Sequence, residues 1–492
     1  MKRMITLFLM TALLTACTLV PHYERPPSPV PNAWPSDAQA PASASLASAD
    51  QIGWRDFFTD PRLVRLIEIG LQNNRNLRIA VLNVAASQAQ FRVQRGALFP
   101  SISATGSEFV EKFPTNGAFP LSGLGASGGG STLVPTGAGS STFRYFNAGI
   151  GFTNYELDLF GRERSLTTEA FEQYLSQYES RRSTQISLVA EVATDYFAVL
   201  ADRALVRLTQ DTLQNETESY ELTKAMYDRD TTTLLALRQA ESAVDAARAS
   251  LQQYERQLAQ DAHALALVLG QEIPADLPGG QDIEHEGLLE VVPAGLPADL
   301  LVRRPDIASA EHALRAANAD IGAARAAFLP SIQLTGSGGT ASTRLSALFG
   351  KGSGTWTFAP TVSLPLFTGG QNRANLDLAH LEKNVAVARY ELTIQTAFRE
   401  VSDALSARGT YVGQLAAQRS LVDADADAYR LAQMRFRSGI DSYLSTLDAQ
   451  RSLYAAQQTL VSLRQAQLTN QVTLYKALGG GWAQRTKRQT AQ

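Results

Sequence analysis

The chain of 492 residues contains one cysteine, Cys17, so a disulfide bond within the chain is excluded. After the N-terminal segment, no apolar run approaches the ~20 residues that a membrane-spanning helix needs. Charge is balanced, with 44 basic and 47 acidic residues and a net charge of -3, so nucleic acid is not an expected partner. The 5 histidines are scattered without metal-ligand spacing, so we expect no metal site, no cofactor and no catalytic centre.

The N-terminal segment begins with Lys2 and Arg3, continues with apolar residues 5–14 and ends in Leu-Thr-Ala-Cys at residues 14–17. This pattern is typical of a secretory signal peptide and is too short for a membrane span. We therefore predict a signal peptide at 1–16 and a Pro/Ala/Ser-rich tether at 17–50. The ending Leu-Thr-Ala-Cys resembles a bacterial lipobox, in which the cysteine becomes the acylated N-terminus after cleavage. Alternatively, the segment is an ordinary signal peptide and Cys17 is incidental.

The remainder of the chain is an internal duplication. Residues 95–107 resemble 325–337, residues 157–161 resemble 364–368, and Leu269-Gly270 resembles Leu478-Gly479. Such a repeat predicts two similar units that pack side by side. The predicted parts are a first repeat at 51–270 with a β-hairpin at about 100–160, a connector at 271–304, a second repeat at 305–479 with a β-hairpin at about 330–367, and a tail at 480–492.

The first hairpin contains an insertion rich in glycine, serine and proline at residues 113–141. Because extra length costs little on a surface loop, this segment is predicted to form the hairpin tip. A nucleotide-binding loop at residues 123–130 is the alternative, but the flanking strand and helix and the following lysine are missing.

The hairpins show alternation with a period of two residues. In the second hairpin, Trp356, Phe358 and Val362 alternate with small or polar residues such as Thr357. One apolar and one small, polar face suit a strand between lipid and water. A soluble sheet with one buried face fits the same pattern.

Two helical stretches, residues 162–227 and 371–436, contain no proline. Each would reach roughly 100 Å at about 1.5 Å per residue. Narrow apolar seams, such as Leu378, Leu381, Val385 and Leu392, are typical of coiled coils. Two hairpins provide about four strands, whereas a membrane barrel needs about eight to close, so several copies must share one barrel.

Several motifs together carry a family resemblance. They are Pro-His-Tyr-Glu-Arg-Pro at 21–26, Tyr-Glu-Leu-Asp-Leu-Phe-Gly-Arg at 155–162, Arg-Arg-Pro-Asp at 303–306 and Leu-Asp-Ala-Gln-Arg at 447–451. Along its whole length the chain resembles the TolC-like outer-membrane factors, most strongly the OprM-type lipoproteins of multidrug efflux pumps. The resemblance implies an α+β membrane protein: a homotrimer with an outer-membrane β-barrel of about 12 strands, a long periplasmic α-helical coiled-coil barrel and a mixed equatorial domain.

The resemblance also implies a function and partners. We expect a passive conduit that exports drugs or other small toxic compounds, served by a periplasmic membrane-fusion adaptor and an inner-membrane RND proton-coupled pump. Cys17 would carry diacylglycerol and an N-acyl chain such as palmitate, anchoring the protein in outer-membrane lipid. A lipid-anchored coiled-coil scaffold without a pore, and a channel that exports polypeptides, are the alternatives.

Family resemblance assigns the periplasmic gate to Leu444 and Asp448, an i,i+4 pair on one helical face. A ring of Leu444 side chains would form a dewetting constriction, and a ring of Asp448 carboxylates would favour cations. In the alternative, Asp448 only pairs with Arg451 or water. The expected docking tips for the adaptor and pump contain Tyr227, Asp230, Phe436, Arg437 and Gly439. Alternatively, these residues are polar only because they lie in exposed loops.

Overall fold

The computed structural model describes residues 18–34, 49–112, 142–284, 287–289 and 297–486. These residues belong to two compact units. Unit 1 comprises residues 1–25, 85–175 and 312–387, and unit 2 comprises residues 26–84, 176–311 and 388–492. The predicted signal peptide, Cys17, most of the tether and the insertion at 113–141 lie outside the described residues.

The described part of the chain contains long helices and one sheet. The helices are α1 (Trp54–Phe57), α2 (Pro61–Asn73), α3 (Arg75–Gly96), α4 (Arg162–Tyr227), α5 (Leu234–Leu269), α6 (Leu300–Arg303), α7 (Pro305–Ala326), α8 (Gln371–Arg437) and α9 (Tyr443–Ala477). The strands are β1 (Ser103–Lys112), β2 (Thr142–Glu156), β3 (Ser331–Ser342) and β4 (Gly354–Ser363). Short 3-10 turns occur at Pro297–Asp299 and Leu345–Ala347.

Unit 1 contains the sheet, whose order is β1-β2-β3-β4 with every neighbouring pair antiparallel. The two hairpins meet where β2 pairs with β3, with Gly149 opposite Gly339. A Cβ atom added to Gly339 would lie 2.3 Å from the carbonyl oxygen of Ala148, so this close approach requires glycine. Within the described residues, β1 and β4 each pair along one edge only.

The apolar face of the sheet is exposed. Trp356 is 80% exposed, Phe358 57% and Val362 65%, while Ile150 on β2 is 62% exposed. A soluble sheet would bury this face against another layer of the protein. The sequence alternation is therefore confirmed, and the exposed apolar face favours lipid over a buried core as its environment.

The two longest helices have the bounds that the absence of proline predicts. Helix α4 contains 66 residues and helix α8 contains 67. Helix α5 begins after Thr233, whose side chain accepts a hydrogen bond from the Ala236 amide, and ends at Gly270 in the left-handed conformation, with φ 73°. Serine or threonine before a helix and left-handed glycine after it are common helix boundaries.

The coiled-coil seams differ in burial. On α5, Val244, Ala247 and Leu269 are buried within the chain. On α8, the seam of Leu378, Leu381, Val385 and Leu392 is between 49% and 61% exposed. An apolar row of this length on a helix normally packs against a partner. The single chain thus buries seam residues of α5, whereas the seam of α8 is exposed.

Unit 2 has an aromatic core next to its long helices. The rings of Phe57 and Tyr475 stack with centroids 3.9 Å apart, and Phe58 packs edge-on against Phe57. The Tyr475 hydroxyl donates to the carbonyl oxygen of Ile52 at 2.6 Å. Buried aromatic pairs with a satisfied hydroxyl are strongly stabilising, so this core joins α1 to the end of α9.

The predicted α+β fold, with long helices and four strands per chain, is confirmed. Within the described part of the chain, none of the helices is long and apolar enough to cross a membrane.

Candidate functional site

Two helix hairpins in unit 2 end in the same type of turn. After α4, the Asp230 amide donates to the Tyr227 carbonyl oxygen, and the Thr231 amide donates to the Met226 carbonyl oxygen, both at 2.9 Å. This pair of bonds is the Schellman motif, which places a left-handed residue just after the helix. Asp230 occupies that position with φ 58°.

The turn after α8 has the same hydrogen bonds. The Gly439 amide donates to the Phe436 carbonyl oxygen and the Ile440 amide to the Arg435 carbonyl oxygen, both at 2.9 Å. Gly439 has φ 70°. Asp230 therefore adopts, in the first repeat, the conformation that glycine adopts in the second. Aspartate tolerates this conformation because its short side chain interacts with the local backbone, although at a higher energy than glycine.

The exposed tip residues differ from the buried one. Tyr227, Asp230, Arg437 and Gly439 are exposed. Phe436 is only 6% exposed, and its ring lies 5.5 Å from that of Tyr443 in an edge-on contact. Phe436 thus packs beneath the tip, and of the five predicted docking residues the other four are exposed to a partner.

Beneath the tips lies a small hydrophobic core. Ala240 and Ala243 of α5 pack with Phe436 of α8 and with Tyr443 and Leu447 of α9. Alanine at the α5 positions allows the other helices to approach closely. This core orients the first turns of α9, where the predicted gate residues lie.

Leu444 and Asp448 lie on a different face of α9 from the buried Tyr443 and Leu447. Tyr443 and Leu447 are 3% and 2% exposed, whereas Leu444 is 47% exposed and Asp448 is also exposed. The gate pair therefore projects away from the chain's own core, one helical turn apart. This orientation is the one that a side chain needs to line a pore or contact another copy.

The alternative partner of Asp448, Arg451, interacts elsewhere. No ion pair forms between Asp448 and Arg451 in the ranges that the structure describes. The positive charge of Arg451 instead acts on the Glu216 carboxyl of α4, where it opposes the rise in pKa that burial causes. The Asp448 carboxylate is thus exposed and forms no ion pair with another described residue.

Glu216 connects α4 to α9 and was not identified from the sequence. Its carboxylate accepts a hydrogen bond from the Tyr443 hydroxyl at 3.4 Å, and the residue is 4% exposed. Burial raises the pKa of Glu216, and the Tyr443 hydroxyl and Arg451 oppose that rise. A buried carboxyl group with a single hydroxyl donor forms a weak interaction, so this contact contributes little to the stability of the packing between α4 and α9.

Elsewhere in unit 2, helices α4 and α5 bring carboxyl groups close together. Burial and the neighbouring Asp261 raise the pKa of Asp202 to about 7, and burial and Glu191 raise the pKa of Asp195 to about 6. Local sequence does not indicate this group, because Asp261 lies on another helix. These carboxyls therefore change protonation near neutral pH.

No group of three or more histidine, cysteine, aspartate or glutamate side chains that could hold a metal ion occurs in the described ranges.

The match to a known protein family covers most of the chain. The family described as outer membrane efflux protein matches residues 66–271 and 296–480. The chain belongs to the outer membrane efflux protein family. Antibiotic efflux pump outer membrane protein ArpC of Pseudomonas putida is 49% identical over 493 residues, covering 100% of this chain and 98% of the relative. Toluene efflux pump outer membrane protein TtgC, also of Pseudomonas putida, has the same identity and coverage.

A solved structure of an outer membrane channel has the same fold. The open state of the Neisseria gonorrhoeae MtrE outer membrane channel has a TM-score of 0.84 and 36% identity, covering 96% of this chain and 100% of that one. This efflux protein is therefore an outer-membrane channel component of an efflux system, as the sequence motifs predicted.

Proposed function

We propose that this efflux protein works as a homotrimeric, passive conduit of a tripartite pump, with a gate at Leu444 and Asp448. The observation that carries the proposal is the sheet of unit 1, which exposes its apolar face and leaves β1 and β4 with one unpaired edge each in the described chain. In lipid, unpaired edges leave backbone groups without hydrogen bonds, at a cost of several kcal/mol for each group.

Closure by several copies removes this cost. The β1 edge of one copy can pair with the β4 edge of the next, so each added copy extends the sheet by four strands. Two copies would give a narrow barrel filled by side chains, while three would give a wider barrel with room for a solute. A conduit for drug-sized molecules therefore favours three.

The exposed seam on α8 supports the same assembly. Leu378 and Leu381 are 53% and 61% exposed in the single chain. On α3, Ile79, Leu82 and Val93 are 55%, 59% and 77% exposed. Apolar rows of this kind are the usual contacts between helices of neighbouring subunits.

Native mass spectrometry in detergent tests the assembly. We expect the wild-type protein to give the mass of three chains. Leu381→Glu should weaken the trimer by about 3–5 kcal/mol at each contact, because a buried charge without a partner is strongly destabilising. His380→Glu is the control, since it adds the same charge at the adjacent, exposed and already polar position. A dimer, or a monomer that stays dissolved without detergent, contradicts the proposal.

The names of relatives suggest the cargo and partners. ArpC is named for antibiotic efflux and TtgC for toluene efflux. We extend this to small toxic organic compounds for the present chain, delivered by an inner-membrane RND proton-coupled pump through a periplasmic adaptor. The adaptor would contact the tips at Tyr227, Asp230, Arg437 and Gly439, which are exposed.

Lipidation at Cys17 completes the proposal. The sequence Leu-Thr-Ala-Cys at residues 14–17 supports it. Diacylglycerol and a palmitoyl-type N-acyl chain on the Cys17 residue would provide two or more anchoring chains, enough for stable membrane attachment. Mass spectrometry of the N-terminal peptide should show the acyl mass, which Cys17→Ser should remove. An unmodified Cys17 in the mature protein contradicts this step.

A further inference from the structure

A cavity of about 330 Å³ in unit 2 lies away from the tips and the gate. It forms between the beginning of α2, the middle of α4 and the segment 280–284. This volume lies within the range of small-molecule sites. Its walls combine apolar side chains, such as Leu200 and Ile283, with three arginines, Arg62, Arg203 and Arg207.

The guanidinium groups of Arg62 and Arg207 both lie close enough to that of Arg203 to repel it. Burial, Arg62 and Arg207 all lower the pKa of Arg203, and the Tyr196 hydroxyl is the group that opposes them. Within the described ranges, no carboxylate forms an ion pair with Arg203. Arg203 and Arg207 are exposed to solvent, and like charges that are held together favour the binding of an anion.

Two acidic residues at the pocket, Asp60 and Asp282, already interact with other groups of the protein. The Asp60 carboxylate, 2% exposed, accepts hydrogen bonds from the Arg62 amide at 2.8 Å, the Tyr196 hydroxyl at 2.7 Å and the Gln281 amide at 3.2 Å. Asp282 lies 3.5 Å from Arg207, and both side chains are well exposed. Glu284 is on the exposed rim. None of these carboxylates neutralises Arg203.

The side chain of Gln281 indicates that the ligand carries a hydrogen-bond donor. Its side-chain oxygen is buried and has no hydrogen-bond partner among the described residues. A buried acceptor without a donor is costly, so a ligand that brings a hydroxyl donor gains free energy there. Near neutral pH, hydrogen phosphate combines such a donor with anionic oxygens, and a phosphate monoester can bring the donor as a hydroxyl of its organic group, whereas a carboxylate group has acceptors only.

Gly280 keeps the cavity open. A Cβ atom at this position would lie 2.6 Å from the Tyr196 hydroxyl and 2.8 Å from the Arg62 side chain. The aliphatic side chains of the pocket are buried, since Leu200 is 9% exposed and Ile283 is 4% exposed.

We propose that this pocket binds a phosphate group, with Arg203 as the central ligand, Arg62 and Arg207 beside it and Gln281 accepting from a hydroxyl of the ligand. The cavity has roughly eleven times the ~30 Å³ that a water molecule occupies in the liquid, so it has room for a phosphate group with a small organic substituent. Neither Leu444 nor Asp448 lines it.

Isothermal titration calorimetry on the full-length protein in detergent tests the proposal. The probes are sodium phosphate and glycerol 3-phosphate, with sodium chloride at matched ionic strength as the blank. We expect saturable binding by the wild-type protein. Arg203→Gln should weaken binding about tenfold or more, because it removes a charged hydrogen-bond donor. Arg207→Gln changes an exposed side chain and should weaken binding as well.

Arg238→Gln is the matched control, because Arg238 is an exposed arginine of α5 paired with Glu241. The affinity of the Arg238→Gln variant for either probe should equal that of the wild-type protein. Binding of glycerol 3-phosphate identifies a phosphate monoester as ligand, and binding of phosphate alone identifies the free ion. Absence of binding, or equal affinity in Arg203→Gln, overturns the proposal. Binding that appears only in Glu284→Gln also overturns it, since a carboxylate of the chain would then be the occupant.

Discussion

Replacing Leu444 and Asp448 together with alanine is expected to raise the single-channel conductance of the protein in planar bilayers by about tenfold. A tenfold change corresponds to lowering the barrier for permeation by about 1.4 kcal/mol. The two residues lie one turn apart on the exposed face of α9, so three copies would form two adjacent rings. The Leu444 ring would resist wetting, and the Asp448 ring would select cations.

The double variant should also lose cation preference, because the charged ring is removed. Reversal potentials in asymmetric salt measure this effect. Ser445→Ala is the control, since Ser445 is exposed on the same turn but is not part of either ring. A complete lack of conductance in both the wild-type protein and the double variant contradicts the conduit and favours the pore-free scaffold.

A tip variant separates docking from gating. Arg437→Glu reverses a charge on the exposed tip after α8, far along the sequence from the sheet and outside the gate pair. Its conductance in bilayers should equal that of the wild-type protein. In cells lacking the native gene it should fail to restore drug resistance, because the adaptor contact is lost. Full resistance with Arg437→Glu contradicts a docking role for this residue.

Phe358→Arg is expected to prevent most of the protein from assembling in the outer membrane. Phe358 is 57% exposed on the apolar face of β4, between Trp356 and Val362 along the strand. An arginine at the lipid-facing midplane of a barrel costs about 2–4 kcal/mol, and the cost recurs in each copy. The fraction of folded protein in membrane extracts, measured by its resistance to unfolding in gel electrophoresis, reports the effect.

Thr357→Arg provides the matched control. Thr357 is the adjacent residue, and side chains alternate along a strand, so it points to the opposite face. That face is lined by small and polar residues and is expected to contact water, where a charge is tolerated. Equal loss of assembly in both variants would contradict the assignment of lipid to the apolar face.

Much of the fold follows from local sequence. The absence of proline set the length of α4 and α8, and the alternation of Trp356 and Phe358 with small residues identified β4. Both signals are local, because helix continuity and strand faces depend on residues a few positions apart. The left-handed residues at Gly439 and at its counterpart Asp230 also follow from the repeat.

The surroundings of the site could not be predicted in this way. Glu216 and Tyr443 are 227 residues apart in the chain, and nothing in either local sequence indicates their contact. Phe436 was expected at the docking surface because of its place in the turn, but the neighbouring helices bury it. The arginines of the phosphate pocket come from two helices, so their proximity depends on helix packing as well.

Motifs and regular periodicity in the chain were enough to identify the family, the helical and β elements, and the shared helical face of Leu444 and Asp448. Packing between elements settled which seam is buried, that β2 pairs with β3 to join the hairpins, and which charged groups meet across helices. The physical reason is that residues distant in sequence become neighbours only when whole elements pack together.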